Sequence, residues 1–245
     1  MKQTRLIMGM PITVEIVDDV IDEPIFQAVY DYFARVDERF STYKASSEIS
    51  RINAGLPQSK WSAQMKRVLA LCEQTKRQTN GFFDIKRGGQ IDPSGLVKGW
   101  AIRGAARILK HRGCKNYYID AGSDIQVSGQ SGDHSPWRVG IKNPFNESEI
   151  VKVLQISSQG VATSGNYIRG AHIYNPLGAL DPKVASLTII GRDVYQADRF
   201  ATAAFAMGEA AGVNFIENFP GLEAYLINDD KIATMTSGFG KFVAD

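Results

Sequence analysis

Two hydrophobic periodicities alternate along the chain. Residues 12–17 alternate apolar and polar side chains, the pattern of a half-buried strand. The next apolar residues recur every three or four positions as far as Phe40, which predicts a helix with one apolar face. We expect that helix to begin near Asp22 or Glu23, because Pro24 is well tolerated in a first turn. Similar spacing predicts helices over residues 62–78, from about 94 to 112, over 196–207, and from there to about 218.

Short strand patterns fill much of the remaining sequence. They are separated by clusters of Gly, Ser, Asn and Pro, and they cover residues 116–119, 124–128, 137–142, 151–156, 184–190, 222–227 and 231–235. Residues 41–55 have no periodicity, so we expect a polar loop there, and residues 163–167 suggest another. The strands come in runs with helices between the runs, which predicts an α+β fold rather than a doubly wound parallel sheet.

Composition removes several classes of protein. The 245 residues can bury a sizeable core, and 28 basic against 26 acidic residues give a net charge of +2, which lacks the basic excess of a nucleic-acid-binding protein. No apolar run reaches the roughly 20 residues that span a bilayer. The first residues resemble neither a signal peptide nor a lipidation site, so we expect a cytoplasmic protein. Cys72 and Cys114 form no metal or redox motif, and free buried thiols are expected.

The segment D-P-S-G-L-V-K-G-W, residues 92–100, is the first that suggests chemistry. Polar residues and glycine lead into a predicted helix, with Lys98 about one turn inside it. Backbone N–H groups at a helix start favour anions such as phosphate, and a lysine adds positive charge. The spacing is not that of a P-loop. The structural alternative is an N-capped helix in which Gly99 permits close packing.

Asp198 and Thr202 are a second candidate pair. They lie four residues apart on a predicted helix, so their side chains share a face. A carboxylate and a hydroxyl together suit Mg²⁺, a hard ion that keeps water or phosphate oxygens as its other ligands. The alternative is a solvated aspartate beside a threonine that bonds to its own helix backbone.

Other single residues are weaker candidates. His172 is a possible general base, although a histidine in a turn is more often structural. Asp120 and Asp124 flank a tight turn between strands, where they either stabilise the turn or accept hydrogen bonds from a ligand. Tyr43 is either a stacking platform for a planar ring or a lid over the core.

Taken together and in order, six segments resemble the ApbE family of FAD:protein FMN transferases. Residues 40–53 (F-S-T-Y-K…S-E-I-S-R-I-N) resemble F-S-x-Y…S-E-(I/L)-S-R-(I/L)-N, residues 92–100 resemble D-x-x-(G/A)-x-x-K-G-(Y/W), and residues 120–125 (D-A-G-S-D-I) resemble D-A-G-G-(D/N)-(I/L). Residues 163–167 (T-S-G-N-Y) resemble T-S-G-x-Y, residues 172–176 (H-I-Y-N-P) resemble H-I-(I/L)-(D/N)-P, and residues 197–203 (A-D-R-F-A-T-A) resemble A-D-x-x-(A/S)-T-(A/L).

The resemblance implies a specific reaction and fold. Family members bind FAD and use Mg²⁺ to split its pyrophosphate, attach FMN to a Ser or Thr hydroxyl of an acceptor flavoprotein, and release AMP. The implied fold is α+β, with two entwined α/β subdomains and the flavin nucleotide bound between them. Because the six segments spread over most of the chain, residues 1–245 are expected to form one domain.

The resemblance also assigns residues. Mg²⁺ would be held by the Gly95 carbonyl, Asp198 and Thr202, and catalysis would involve Asp198 together with His172, which would take the proton of the acceptor hydroxyl. FAD contacts are implied for residues of the first five segments and for Met8 and Gly9 near the N-terminus. Met8, Gly9 and Tyr43 would line the planar ring; Asp92, Ser94 and Lys98 would shape the phosphate corner; Asp120 or Asp124 would orient flavin or ribose; Thr163, Ser164, Gly165 and His172 would complete the site.

The chain departs from the family patterns at several positions. Leu177 replaces a usually basic or polar residue, and Gly178 and Ala179 stand where Thr-Gly is common. Met10, Arg103 and Ser123 are smaller departures.

Two other functions are compatible with these residues. The same metal residues would also serve a Mg²⁺-dependent FAD pyrophosphatase that uses water as acceptor. A non-catalytic FAD-binding module is the third hypothesis.

Overall fold

The computed structural model describes residues 1–19, 22–165, 173–178 and 183–244. Its helices are α1 Glu23–Phe40, α2 Glu48–Asn53, α3 Ala63–Gln78, α4 Ser94–His111, α5 Val194–Met207 and α6 Glu209–Glu217, with 3₁₀ turns at Gln58–Lys60 and Phe239–Phe242. The strands are β1 Lys2–Ile7, β2 Met10–Ile16, β3 Lys86–Arg87, β4 Gln90–Ile91, β5 Tyr117–Ala121, β6 Asp124–Ser128, β7 Trp137–Asn143, β8 Asn146–Ile156, β9 Gly160–Gly165, β10 Val184–Gly191, β11 Glu223–Asn228 and β12 Ala233–Met235.

Eight strands form one antiparallel sheet in the order β1-β2-β5-β6-β9-β10-β11-β12. Two-residue turns join β1 to β2 and β5 to β6. The first turn is Met8–Gly9 and the second is Gly122–Ser123, and all four residues have positive φ, between 57° and 72°. Such φ values match hairpin turns to the twist of the strands. Because Ile12 pairs with Ala121, both turns lie at the same end of the sheet.

The two faces of the sheet are covered differently. Helices α1, α3 and α4 pack on β2 and β5 through one hydrophobic cluster, and α5 and α6 pack on β9 to β11 through a second cluster. The hairpin of β7 and β8 and the last 3₁₀ turn cover the opposite face through a third cluster. Adjacent residues of β9 show this division, since Val161 belongs to the third cluster and Ala162 to the second. The helices and antiparallel sheets confirm the α+β prediction.

Helix α1 begins and ends where the pattern predicts. Asp22 caps it by accepting a hydrogen bond from the Ile25 N–H, and its apolar stripe is buried. The predicted helices over residues 62–78 and 196–207 also form, with ends shifted by one or two residues.

Two loop predictions were wrong. Residues 41–55 contain α2, which is capped by the Ser47 side chain and buries Ile49 and Ile52, one turn apart. Two apolar positions are too few for the periodicity to be recognised. Thr163, Ser164 and Gly165 lie in strand β9, whose polar residues pair with β10. Asn166 and Tyr167, the rest of that predicted loop, lie outside the described residues.

Edge strand β1 was not predicted. Only every second residue is even partly buried, because alternate side chains face opposite sides of the sheet, and the strand is recognisable chiefly from its pairing with β2. Within the described parts of the chain, no helix is long and apolar enough to cross a membrane. Cys72 and Cys114 are free and buried, as expected.

Candidate active site

A cleft forms where the β5–β6 turn, the end of β9 and the helices α4 and α5 meet. Residues 82–85, which precede β3, and residues 173–174 close its other side. Its lining consists of Phe82, Phe83, Asp84, Ile85, Asp92, Ser94, Gly95, Lys98, Gly122, Thr163, Ser164, Gly165, Ile173, Tyr174, Asp198 and Thr202. Segments far apart in sequence therefore meet in one concave site, as binding sites commonly require.

Helices α4 and α5 bring the predicted metal ligands together. The Thr202 hydroxyl lies 3.4 Å from the Gly95 carbonyl oxygen and 3.2 Å from the carbonyl oxygen of Asp198. One turn along α4, the Gly99 N–H donates a 2.7 Å hydrogen bond to Oδ2 of Asp198. A Cβ atom on Gly99 would stand 2.7 Å from both the Asp198 Cβ and the Val194 carbonyl oxygen. Gly99 thus permits the approach of the two helices.

Asp198 is buried and surrounded by both kinds of charge. Burial, reinforced by the neighbouring Asp124 carboxylate, raises the pKa of Asp198 well above its ordinary value. The Lys98 ammonium and the Gly99 N–H act in the opposite direction. The carboxylate form therefore needs more positive charge than Lys98 supplies, since Lys98 is shared with a second acid.

That second acid is Asp124, which is completely buried. Its Oδ2 lies 2.9 Å from the Lys98 Nζ, and its Oδ1 accepts a 3.3 Å hydrogen bond from the Thr163 N–H. The ion pair ties α4 to β6, and the Thr163 contact ties β6 to β9. Asp124 consequently joins three of the elements that form the cleft.

The residues present fit Mg²⁺. The carboxylate of Asp198, the hydroxyl of Thr202 and the carbonyl of Gly95 are hard oxygen donors, the kind that Mg²⁺ prefers. The 3.4 Å between the Gly95 and Thr202 oxygens is close to the roughly 3 Å between adjacent ligands of an octahedron with Mg–O bonds of about 2.1 Å. Two buried carboxyl groups that share one lysine favour an added cation. Within the described residues no cluster of three His, Cys, Asp or Glu side chains occurs, so this set depends on a carbonyl and a hydroxyl.

Several of the residues predicted to contact FAD also lie in this cleft. Ser94 begins α4, and its N–H donates a 3.0 Å hydrogen bond to Oδ1 of Asp92. Thr163, Ser164 and Gly165 line the cleft from the end of β9. The polar helix start, the lysine and the strand end therefore surround one cavity, as the segment pattern predicts.

Other predicted residues do not line the cleft. Among the described residues, its lining omits Met8, Gly9, Tyr43, Asp120 and Asp124, of which Asp124 is buried behind Lys98. Met8 and Gly9 form the β1–β2 turn, and the Tyr43 side chain is 98% exposed. Asp120 lines a separate cavity beneath β7 and β8, because alternate residues of β5 face opposite sides of the sheet. Burial raises the pKa of Asp120 there. His172 lies outside the described residues, so its predicted role stays a prediction.

The sequence did not indicate residues 82–85 or Tyr174 as part of the cleft. Phe82 and Phe83 resemble ordinary core residues, and only the fold shows that they line a cavity.

The structural role of Gln126 was not predicted either. Its Oε1 accepts a 2.9 Å hydrogen bond from the Val194 N–H, so it holds the start of α5 against β6. The only sequence signal was a polar residue inside a buried strand.

Fold and site together define an α+β protein with an oxygen-rich, anion-compatible cleft between helices and sheet. A sequence model of the ApbE family matches residues 8–89 and 85–226, and the chain belongs to that family. An FAD:protein FMN transferase of Haemophilus influenzae is 22% identical over 315 residues, covering 96% of this chain and 91% of that protein. One from Vibrio cholerae is 29% identical over 138 residues, which cover 52% of this chain and 41% of that protein.

The fold is shared with solved structures. The flavin transferase ApbE from Vibrio cholerae superposes with a TM-score of 0.87 at 21% identity, covering 99% of this chain and 98% of the other. This agreement confirms the predicted ApbE-like fold.

Proposed function

We propose that this chain is a Mg²⁺-dependent FAD:protein FMN transferase that moves FMN from FAD to a Ser or Thr hydroxyl of an acceptor flavoprotein and releases AMP. Family membership supports the class of reaction. The convergence of Gly95, Asp198 and Thr202 on one cleft supports the metal dependence. This convergence is the structural observation that carries the proposal.

Residues of the cleft have separable tasks in this proposal. Phosphoryl transfer depends mainly on positioning and on neutralising charge. Lys98 supplies one fixed positive charge, which Asp124 holds at 2.9 Å. Ser94 and Gly95, at the start of α4, and the backbone of β9 offer polar groups to the phosphates, while Phe82 and Phe83 offer apolar contact to a ring.

Mg²⁺ held by the Gly95 carbonyl, Asp198 and Thr202 would supply Lewis-acid polarisation of the phosphate oxygens. The sequence adds His172 as the group that accepts the proton of the acceptor hydroxyl. Asp198 has no such task here, because its carboxylate is engaged with the Gly99 N–H and is placed to serve as a ligand.

Intact-mass spectrometry tests the proposal. The chain is incubated with FAD, Mg²⁺ and a flavoprotein that carries an acceptor threonine, and we expect the acceptor to gain the mass of FMN. Asp198→Asn and Thr202→Val should abolish the gain, and so should chelation of Mg²⁺. Gly240→Ala is the matched control, because a Cβ there meets no atom within 4 Å.

The other hypotheses give different results in the same experiment. Release of FMN and AMP without any labelled acceptor would identify a pyrophosphatase instead. FAD binding without turnover, unchanged in Asp198→Asn, would identify a binding module. A cytoplasmic location stays a prediction from the sequence, which cell fractionation tests.

A further inference from the structure

Ile173 and Tyr174 line the cleft, and the short segment that they begin, residues 173–178, is attached to residues 84–87. The Tyr174 hydroxyl lies 2.7 Å from the Asp84 carbonyl oxygen and 3.1 Å from that of Lys86. The guanidinium of Arg87 lies over the Tyr174 ring, 4.9 Å from its centroid. Tyr174 thus attaches the segment to Asp84, Lys86 and Arg87.

The Leu177 side chain lies beside Gly81 at the other end of the segment. Its Cδ2 lies 3.5 Å from the position of a Cβ on Gly81, an ordinary van der Waals distance, although Leu177 is 61% exposed. Leu177 stands at a position where the family pattern has a basic or polar residue. Tyr174 also stands where that pattern has Ile or Leu, so both attachments use residues in which this chain departs from the pattern.

The surface that receives the segment is itself fixed. Asp84 forms a 2.6 Å ion pair with Lys76 of α3 and accepts a 3.0 Å hydrogen bond from the Lys86 N–H. The Phe83 N–H donates to the Thr79 hydroxyl at 3.1 Å. Residues 82–85 line the cleft together with Ile173 and Tyr174, and the Phe83 ring lies near Gly95, where an added Cβ would stand 3.4 Å from the Phe83 Cε2.

We propose that Tyr174, assisted by Leu177, is a positioning residue that holds residues 173–178 against residues 81–87 as a fixed wall of the nucleotide cleft, and so sets the affinity for FAD. The inference rests on the proposed function for the identity of the ligand. Without the phenolic hydroxyl, the two carbonyl groups can be hydrated, so the segment loses both hydrogen bonds and keeps only the contact of the ring with Arg87, at little cost to the fold. A wall that must be ordered by the ligand lowers the affinity by the free energy of that ordering.

Two measurements on Tyr174→Phe and Leu177→Ser test the inference. Hydrogen–deuterium exchange of the free protein should be faster in residues 173–178 of both variants than in the wild type. The FAD dissociation constant, from fluorescence titration without acceptor, should rise about three- to tenfold in Tyr174→Phe, the effect of losing about one hydrogen bond. KM for FAD should rise by a similar factor, with kcat changed less.

Tyr225→Phe is the matched control, since it removes the hydroxyl of a tyrosine that belongs to the cluster on the opposite face of the sheet. Unchanged exchange and unchanged FAD affinity in both cleft variants would overturn the inference. So would a fall in kcat at constant KM and constant affinity. If the wild type fails to bind FAD, the proposed function is wrong, whereas the exchange measurement still decides whether Tyr174 holds the segment.

Discussion

At the scale of single residues, the site depends on two glycines, whose lack of a side chain allows two helices to approach each other. Gly95 and Gly99 are the points where α4 meets α5. A Cβ on Gly95 would lie 3.2 Å from the Thr202 Cγ2, and a Cβ on Gly99 would lie closer still to Asp198. The oxygen donors can converge because these two side chains are absent.

Gly99→Ala should therefore separate the helices. The added Cβ would lie 2.7 Å from the Val194 carbonyl oxygen, and backbone atoms cannot easily yield. We expect a loss of about 1–3 kcal/mol in the free energy of unfolding, measured by urea denaturation. Flavinyl transfer should fall further than this loss explains, because the Asp198 carboxylate is displaced. Equal stability in Gly99→Ala and Gly240→Ala would contradict the packing argument.

The two thiols illustrate how burial controls reactivity. Burial raises the pKa of Cys72 from its ordinary value near 9.0 to about 12, and burial also raises the pKa of Cys114. The thiolate is the reactive form, so neither cysteine should react with a thiol reagent at pH 8 in the native protein, and both should react in urea.

The same shift predicts the direction of a pH effect. The folded state holds the Cys72 proton more tightly, so stability contributed by the neutral thiol is present below pH 9 and is lost as the pH rises from about 9 to 12. Cys72→Ala should flatten that part of the stability profile. Rapid labelling of Cys72 or Cys114 in the native protein would show that the thiol is accessible and would contradict the prediction that burial protects it.

At the scale of elements, buried polar contacts fix α4, α5 and β6 relative to one another. Lys98 of α4 pairs with Asp124 of β6, and Gln126 of β6 receives the first N–H of α5. The proposed metal ligands on α4 and α5 are thus positioned through a common strand. A hydrophobic interface alone would allow the helices to slide, whereas these contacts are directional.

Removing one partner of the ion pair should be more harmful than changing both. Lys98→Met leaves the completely buried Asp124 without its cation, and we expect a loss of about 3–5 kcal/mol in the free energy of unfolding. The double variant Lys98→Met with Asp124→Asn should recover part of this loss, because residue 124 then carries no unpaired buried charge. Thermal and urea denaturation of both single variants and the double variant give the coupling. A double variant less stable than Lys98→Met would refute the argument.

At the scale of the molecule, strands from both ends of the chain share one sheet. β1 begins at Lys2 and β12 ends at Met235, and helical and hairpin clusters cover its two faces. We therefore propose that the chain unfolds as one unit, in line with the single domain expected from the sequence.

The tryptophans make this proposal measurable. Trp61 and Trp100 pack against the cluster under α1 and α4, whereas Trp137 belongs to the cluster under β7 and β8. Urea transitions followed by fluorescence of variants that retain only Trp100 or only Trp137 should coincide with each other and with far-ultraviolet circular dichroism. Two separate midpoints would show two independently stable parts.

Local rules explain what the sequence predicted well. The helices α1, α3 and α5 follow from apolar spacing, and the Gly122–Ser123 turn follows from residues that tolerate positive φ. Three elements were not predicted, because their apolar residues show no periodicity. Helix α2 has only two buried apolar positions, β1 is a mostly polar edge strand, and β9 contains polar residues. Asp198 and Thr202 were recognisable because helical spacing places both on one face.

The sequence by itself determined the family, the α+β class and the oxygen donors on α5, because these depend on residue order and on short-range spacing. The tertiary structure decided which candidates meet. It placed Asp124 against Lys98, which lines the cleft, and Asp120 on the other side of the sheet, although they are four residues apart, since a turn and strand alternation separate their side chains. It also brought residues 82–85 and Tyr174 to the cleft, a contact over about 90 residues that no local pattern encodes.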